Sequence, residues 1–209
     1  FIHMKKTILH IPHASTHFPN YNSFSVNKTT LVKEANDLTD HFTDDLFIHK
    51  NTIPVIAPFS RIFCDVERFR SDEQEVMAKY GMGATYTLLE NGETMRKLSP
   101  VQREQILQNH YDVHHQKLTF EVEKQLDSYG KALIIDCHSF PNIPHQRNLD
   151  KKASRPDICI GTDDYHTPVK LLHVAVEYFE SVGLSVKVNS PYKGTIVPLK
   201  HYSKDNRVS

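Results

Sequence analysis

Leu133-Ile134-Ile135-Asp136-Cys137-His138-Ser139-Phe140-Pro141 is the stretch from which the fold of this chain is read. An apolar run over residues 132–135 follows Gly130 and ends on two polar side chains, Asp136 and His138. Short apolar runs bounded by turn residues mark buried strands. Residues two apart on extended chain point to one face, so Asp136 and His138 leave the strand together. Runs of the same kind lie at residues 7–11, 53–57, 157–160 and 185–188. Between them are helical patterns. The clearest opens with Ser99-Pro100-Val101-Gln102, a capping box with proline at the first helical position, and runs to about Leu126 ahead of Gly130. A second covers roughly residues 168–181 and stops at Gly183; a weaker third covers about residues 37–49. Strands alternating with helices predict an α/β fold, a three-layer α/β/α sandwich around a mixed, largely parallel sheet. In such sheets functional groups gather beyond the carboxyl ends of the strands.

Composition narrows the function before any motif is read. At 209 residues the chain fits one domain over 1–209, long enough to bury a core. Its 25 basic residues balance 25 acidic ones, against a nucleic-acid or membrane-surface protein, which needs a clustered basic excess. No apolar run approaches the roughly 20 residues of a membrane helix. Met4 reads as the native start and Phe1-Ile2-His3 as a cloning remnant, without the apolar stretch of a signal peptide. Cys64, Cys137 and Cys159 lack C-x-x-C spacing and read as buried, reduced thiols of a cytoplasmic protein. Histidine, the commonest transition-metal ligand, is abundant at 14 residues, most of them expected to be ordinary surface or hydrogen-bonded side chains.

Three strand ends are polar in a way that suggests chemistry. In His10-Ile11-Pro12-His13-Ala14-Ser15 an apolar strand runs into His13 behind a proline. The second end is Asp136 with His138, and the third is Ile62-Phe63-Cys64-Asp65-Val66-Glu67-Arg68, acid, acid and base within four residues. Two histidines at the mouths of separate strands, with one carboxylate, make a three-ligand site whose fourth position stays open for water. That is the pattern of catalytic zinc. The carboxylate is Asp40 or Asp44, in an acidic first helical turn within Thr39-Asp40-His41-Phe42-Thr43-Asp44. The plainer reading competes: a histidine after a strand is most often structural, an aspartate at a helix start is usually a cap, and H-E-x-x-H is absent. His110 and His114, four apart on one helix face, read as packing and polar contacts, and Cys137 as a buried thiol.

At these residues the sequence resembles the N-formylglutamate amidohydrolase family, itself related to the zinc carboxypeptidase (phosphorylase/hydrolase-like) fold. The three strand ends carry the resemblance together with Thr39-Asp40-His41-Phe42-Thr43-Asp44-Asp45-Leu46-Phe47 and Tyr111-Asp112-Val113-His114-His115. Arg155-Pro156-Asp157-Ile158-Cys159-Ile160-Gly161 and Asn189-Ser190-Pro191-Tyr192-Lys193-Gly194 complete it. The segments follow the family's order from Leu9 to about Tyr202, and their succession is more specific than any one of them.

The resemblance implies a hydrolase using one zinc ion to cleave the N-formyl or N-acyl amide of N-formylglutamate or a similar acidic N-acyl amino acid. His138 matches the zinc histidine that ends a carboxypeptidase strand, and His13 the histidine that ends the family's first strand. The carboxypeptidase glutamate three residues further on is missing, since Thr16 stands there. The carboxylate ligand then comes from elsewhere, Asp40 ahead of Asp44. Arg68 matches an arginine that clamps the substrate carboxylate, a task suited to the guanidinium fork. Asp136 and Glu67 join Arg68 as catalytic candidates, with Asp136 orienting an imidazole. Arg61 adds to Arg68, and Asn189, Tyr192 and Gly194 form a rim loop around the substrate. Family members continue past the equivalent of Ser209 into a strand whose glutamate resembles the carboxypeptidase general base, so the sequence reads as truncated there. Two rivals share the fold: a silent binder of an acidic metabolite, and a zinc amidohydrolase or peptidase with another substrate.

Overall fold

β1 (Thr7–Ile11) lies at the centre of a parallel sheet, flanked by β2 (Thr52–Ile56) and β3 (Ile134–Asp136). The computed structural model describes residues 6–146, 148–151 and 154–209, so the remnant and start read at Phe1-Ile2-His3 and Met4 lie outside the described residues. Alternation along β1 gives it two covered faces. Ile8 packs with Val55 and Ile134 beneath Leu118 and Val122 of α4 (Asp112–Tyr129), whereas Leu9 and Ile11 pack with Cys137 on the other side. His10 shares the face of Ile8 and sits opposite Asp136 in register, a polar side chain under a helix.

The fold is α/β with parallel strands, but they do not form one mixed sheet. β4 (Ile158–Ile160) and β5 (Val186–Val188) pair in parallel as a second sheet, joined through α5 (Val169–Ser181). The reason lies at the free edge of β3. Residues 207–209 occupy it: the Ile134 N–H donates to Ser209 O at 2.7 Å, the Ser209 N–H to Ala132 O at 3.0 Å. Antiparallel contacts outside the named strands are isolated bridges, Phe24 with Arg96 and Leu88 with Thr94.

The long central helix begins as read, at Ser99 with a complete capping box and Pro100 in the first turn. It is not uniform: α3 (Pro100–Ile106) passes through a π-turn over Leu107–Tyr111 before α4. The weak helix expected over residues 37–49 is corrected. α1 (Lys28–Leu38), capped by Asn27, stops before Thr39, and α2 (Thr43–Leu46) starts only after Phe42, at φ 65° in the left-handed region. Asp40 therefore sits in the break and not in a helical turn, its N–H donating to His13 O at 3.0 Å.

Residues 57–99 hold no strand and only a short 3₁₀ turn, Val76–Tyr80. They close over an apolar cluster that includes Phe18, Leu31, Phe63 and Met95. Arg96 is wholly enclosed there, its guanidinium donating to the carbonyls of Ile62 at 3.0 Å, Phe63 at 2.8 Å and Tyr86 at 2.5 Å. A buried cation tied to backbone carbonyls fixes the turn that leads into Asp65. Cys64, Cys137 and Cys159 are free thiols. Among the described residues no helix is long and apolar enough to cross a membrane.

Leu118 is fully buried where α4 meets the sheet. Leu118→Ala is expected to cost about 2–5 kcal/mol through lost transfer energy and the cavity left behind, read as a lowered urea midpoint at unchanged slope.

Candidate metal centre

β1 and β3 end side by side, and the chain carries a histidine beyond each end. His13 follows β1 across Pro12 and His138 follows β3, their ring centroids 5.2 Å apart. Asp40 joins them from the break between α1 and α2. Its Oδ2 lies 2.8 Å from His138 Nδ1 and 3.8 Å from His13 Nδ1. One donor atom from each of the three residues falls within 4.8 Å of the others. Donors sharing one tetrahedral zinc lie roughly 3.5 Å apart, so a small closure brings these three onto an ion. His13 Nδ1 supplies the test of fit, being a buried nitrogen without a hydrogen-bond partner. Such an atom is costly unless something takes its lone pair, and a metal ion does so.

The remaining nitrogen of each ring faces carboxylates. His13 Nε2 donates to Asp65 Oδ1 at 2.8 Å, and His138 Nε2 faces Asp136 Oδ2 at 3.3 Å and Glu67 Oε2 at 3.4 Å. Ionised carboxylates only accept, so both Nε2 atoms carry protons and each Nδ1 is the nitrogen turned toward Asp40, the one that could take a metal. The His138 side chain keeps 34% of its surface exposed, which opens the site on one side. A further donor set, His10, Glu67 and Asp136, lies behind it. There His10 Nδ1 is 2.8 Å from Asp136 Oδ1 and 3.2 Å from Glu67 Oε1, and His10 Nε2 is 2.9 Å from His114 Nε2.

Asp65 is the hub of the site and has no exposed surface. Besides His13 it accepts from Arg61 Nη2 at 3.0 Å, the Tyr86 hydroxyl at 2.9 Å and the Glu67 N–H at 3.0 Å. Burial alone would raise its pKa, but Arg61 and His13 overcome that and hold the carboxyl well below the usual range. Glu67 is likewise held low against burial by His138 and His10, and Asp40 by His13 and His138. Burial works against charge on His10 too, yet Asp136 and Glu67 carry it up to about 9. The same carboxylates push His138 well above its ordinary value, while burial and the neighbouring His10 push His114 down to about 2.

The other residues named from sequence divide. Arg61 Nη1 reaches to 3.7 Å from Asp40 Oδ1. Arg68 approaches Asp65 only at 3.6 Å, and its buried Nε makes no hydrogen bond. Tyr192 stacks edgewise on Phe140 at 5.5 Å, two residues beyond His138, and its hydroxyl accepts from Arg155 at 3.1 Å. Asn189 spends both ends of its amide on Thr162, each at 2.8 Å. Gly194 lies so close to Gly161 that a Cβ there would come 2.5 Å from Gly194 O. Asp44 belongs to neither donor set. His114 is buried, and its polar contact is with His10. Sequence reasoning did not single out Asp65 as an imidazole partner, nor Tyr86 or His10. Asp65 and His10 stood inside segments already quoted, whereas nothing marked Tyr86.

A family model for N-formylglutamate amidohydrolase matches residues 5–209. No curated protein matches the chain. Among solved structures, the fold is similar to N-formylglutamate amidohydrolase from Ralstonia eutropha JMP134, with a TM-score of 0.80 at 20% identity over 92% of this chain and 76% of that one. It is also similar to a gene product of Agrobacterium tumefaciens, with a TM-score of 0.62 at 18% identity over 90% of this chain and 70% of that one. At these identities the structural likeness speaks for the fold.

The titrating groups set a pH window for the metal-free protein. Carboxylates held low contribute stability that is present above about pH 4.5 and lost as pH falls further. His10, raised to about 9, contributes stability that is complete below its ordinary 6.5 and lost as pH climbs toward 9. His114, held down to about 2, is uncharged in the folded protein and takes stability away as pH falls below 6.5. Thermal melting in chelator should therefore show the highest Tm near pH 6.5 and a decline to pH 9, which His10→Asn should flatten.

Proposed function

The chain belongs to the N-formylglutamate amidohydrolase family, and from that premise we propose a zinc-dependent hydrolase that cleaves the formyl or acyl group from the nitrogen of an acidic amino acid, N-formylglutamate being the reference substrate. His13, Asp40 and His138 would hold one zinc ion. The observation that carries this reading is the buried, partnerless His13 Nδ1 turned toward Asp40 and His138, with a carboxylate behind each ring. The residues fit zinc better than magnesium or calcium, because two of the three donors are imidazole nitrogens.

A zinc ion held by His13, Asp40 and His138 would supply Lewis acidity toward the acyl carbonyl and make water a stronger nucleophile near neutral pH. In the overall reaction water adds to that carbonyl, the C–N bond breaks, the amine leaves with a proton, and formate is released from a formyl substrate. The chain's own residues do the placing. Arg68, only loosely held by Asp65, presents its fork to the substrate's carboxylate, with Arg61 fixed beside it. Glu67 and Asp136 stand on the far side of the His138 ring, where they hold its Nε2–H. Tyr192 closes the rim against Phe140. Three free thiols suit the reducing cytoplasm.

Elemental analysis of purified protein should find one zinc per chain, and His138→Ala should abolish it in a sample that still melts cooperatively. Metal retained by that variant would place the ligands elsewhere. Formate release from N-formylglutamate tests the activity, and its absence in zinc-loaded protein would leave a binding protein. For Arg68→Ala a loss of roughly ten- to a hundred-fold in kcat/KM is expected, as for one charge-assisted contact of about 1.5–3 kcal/mol. The loss should shrink on a substrate whose carboxylate is an amide. Equal impairment on both substrates would make Arg68 a structural ion-pair partner.

A further inference from the structure

We infer that the buried pair His10 and His114 is a positioning device for His138, acting through Asp136 and Glu67 to keep the Nδ1 of that ring facing the metal; the inference rests on the zinc reading above. The two carboxylates divide their oxygens between two rings. Asp136 Oδ1 and Glu67 Oε1 face His10 Nδ1 at 2.8 and 3.2 Å, while Asp136 Oδ2 and Glu67 Oε2 face His138 Nε2 at 3.3 and 3.4 Å. Because the carboxylates only accept, His10 Nδ1 carries a proton, which it gives to Asp136 Oδ1 in a hydrogen bond while Glu67 Oε1 stays within ion-pair reach at 3.2 Å.

Without that donor the two carboxylates lose the partner that fixes their inner oxygens, and they rotate or swing apart. Either response spoils the acceptor for the His138 Nε2–H, and with it the tautomer that leaves Nδ1 to the metal. His114 acts one step further back. It lies 2.9 Å from His10, nitrogen to nitrogen, so one proton is shared along that line and the His10 ring cannot flip without breaking it. The same stretch of helix grips the turn that carries Glu67. The Tyr111 hydroxyl donates to Arg68 O at 2.8 Å, and His115 Nε2 lies 2.8 Å from Val66 O. The π-turn over Leu107–Tyr111 lies one turn of helix before His114 and His115, where such turns are frequent beside functional sites.

The test is zinc affinity of the metal-free protein, measured by competition with a chromophoric chelator, beside thermal melting of the same samples. Two contrasts are read. His10→Asn keeps a donor near the Nδ1 position and should bind zinc more tightly than His10→Gln, which does not. His114→Gln keeps an acceptor for His10 and should stay near wild type, whereas His114→Leu should lose roughly ten-fold or more. Equal affinities within a pair whose members both melt cooperatively overturn the inference, and if one pair does not fold the other decides. Wild-type protein that binds no zinc overturns the zinc reading itself, and the inference with it.

Discussion

A single buried carboxylate, Asp65, organises the part of the molecule that has no sheet to organise it. The segment over residues 57–99 folds back with little regular structure, so its side chains are placed by what they bond to. Asp65 gathers His13, Arg61, Tyr86 and the Glu67 N–H around two oxygen atoms out of contact with water. An ionised carboxylate in that setting is tolerable only with all these donors in place, since each one lost leaves charge uncompensated in low dielectric. Such a cluster adds little net stability over well-packed apolar residues. Its consequence is geometric: one residue fixes the position of the His13 imidazole, the Arg61 guanidinium and the turn bearing Glu67.

The sheet supplies the other constraint. With β1 between β2 and β3, the segments leaving β1 and β3 emerge at one edge, and register sets His10 beside Asp136. Three residues on from His10 and two on from Asp136, His13 and His138 are neighbours without any local sequence signal joining them. Behind them acids and imidazoles alternate: Asp40, His138, Asp136 with Glu67, His10, His114. Each carboxylate in the series has a ring nitrogen on either side, which is why Asp40 and Glu67 stay ionised and His10 stays charged despite burial.

How much of this the sequence disclosed follows from the range of the forces involved. β1 is an apolar run stopped by a proline, a local signal, and its limits at residues 7 and 11 were legible. The capping box at Ser99 was legible for the same reason. Thr39 and Phe42 break the expected helix over residues 37–49 because Asp40 is drawn to His13 and His138, contacts remote in sequence that propensity does not see. His10 looked like part of an apolar strand because alternation assigns a face but not the company on that face. Tyr86 acquires its role only from the fold of an irregular segment, where neither period applies. That His13 and His138 stand together was legible because strand ends gather side chains at one edge, whereas the place of Asp40 beside them, with Asp44 in neither donor set, needed the break in the helix to be seen.

On the proposed reading, the shared Asp65 links catalysis to selection. The carboxylate that orients His13 also anchors Arg61 and lies 3.6 Å from the Nε of Arg68. The site for the amide and the site for the substrate's carboxylate are thus referred to the same two oxygen atoms, and the span between them is set by a rigid, buried group and not by loop movement. A substrate whose carboxylate stands at another distance from its amide has to strain that hub or give up one contact. Discrimination by length then costs the protein no dedicated side-chain pocket, because misfit is resisted by the network that keeps the metal-facing nitrogen of His13 in place.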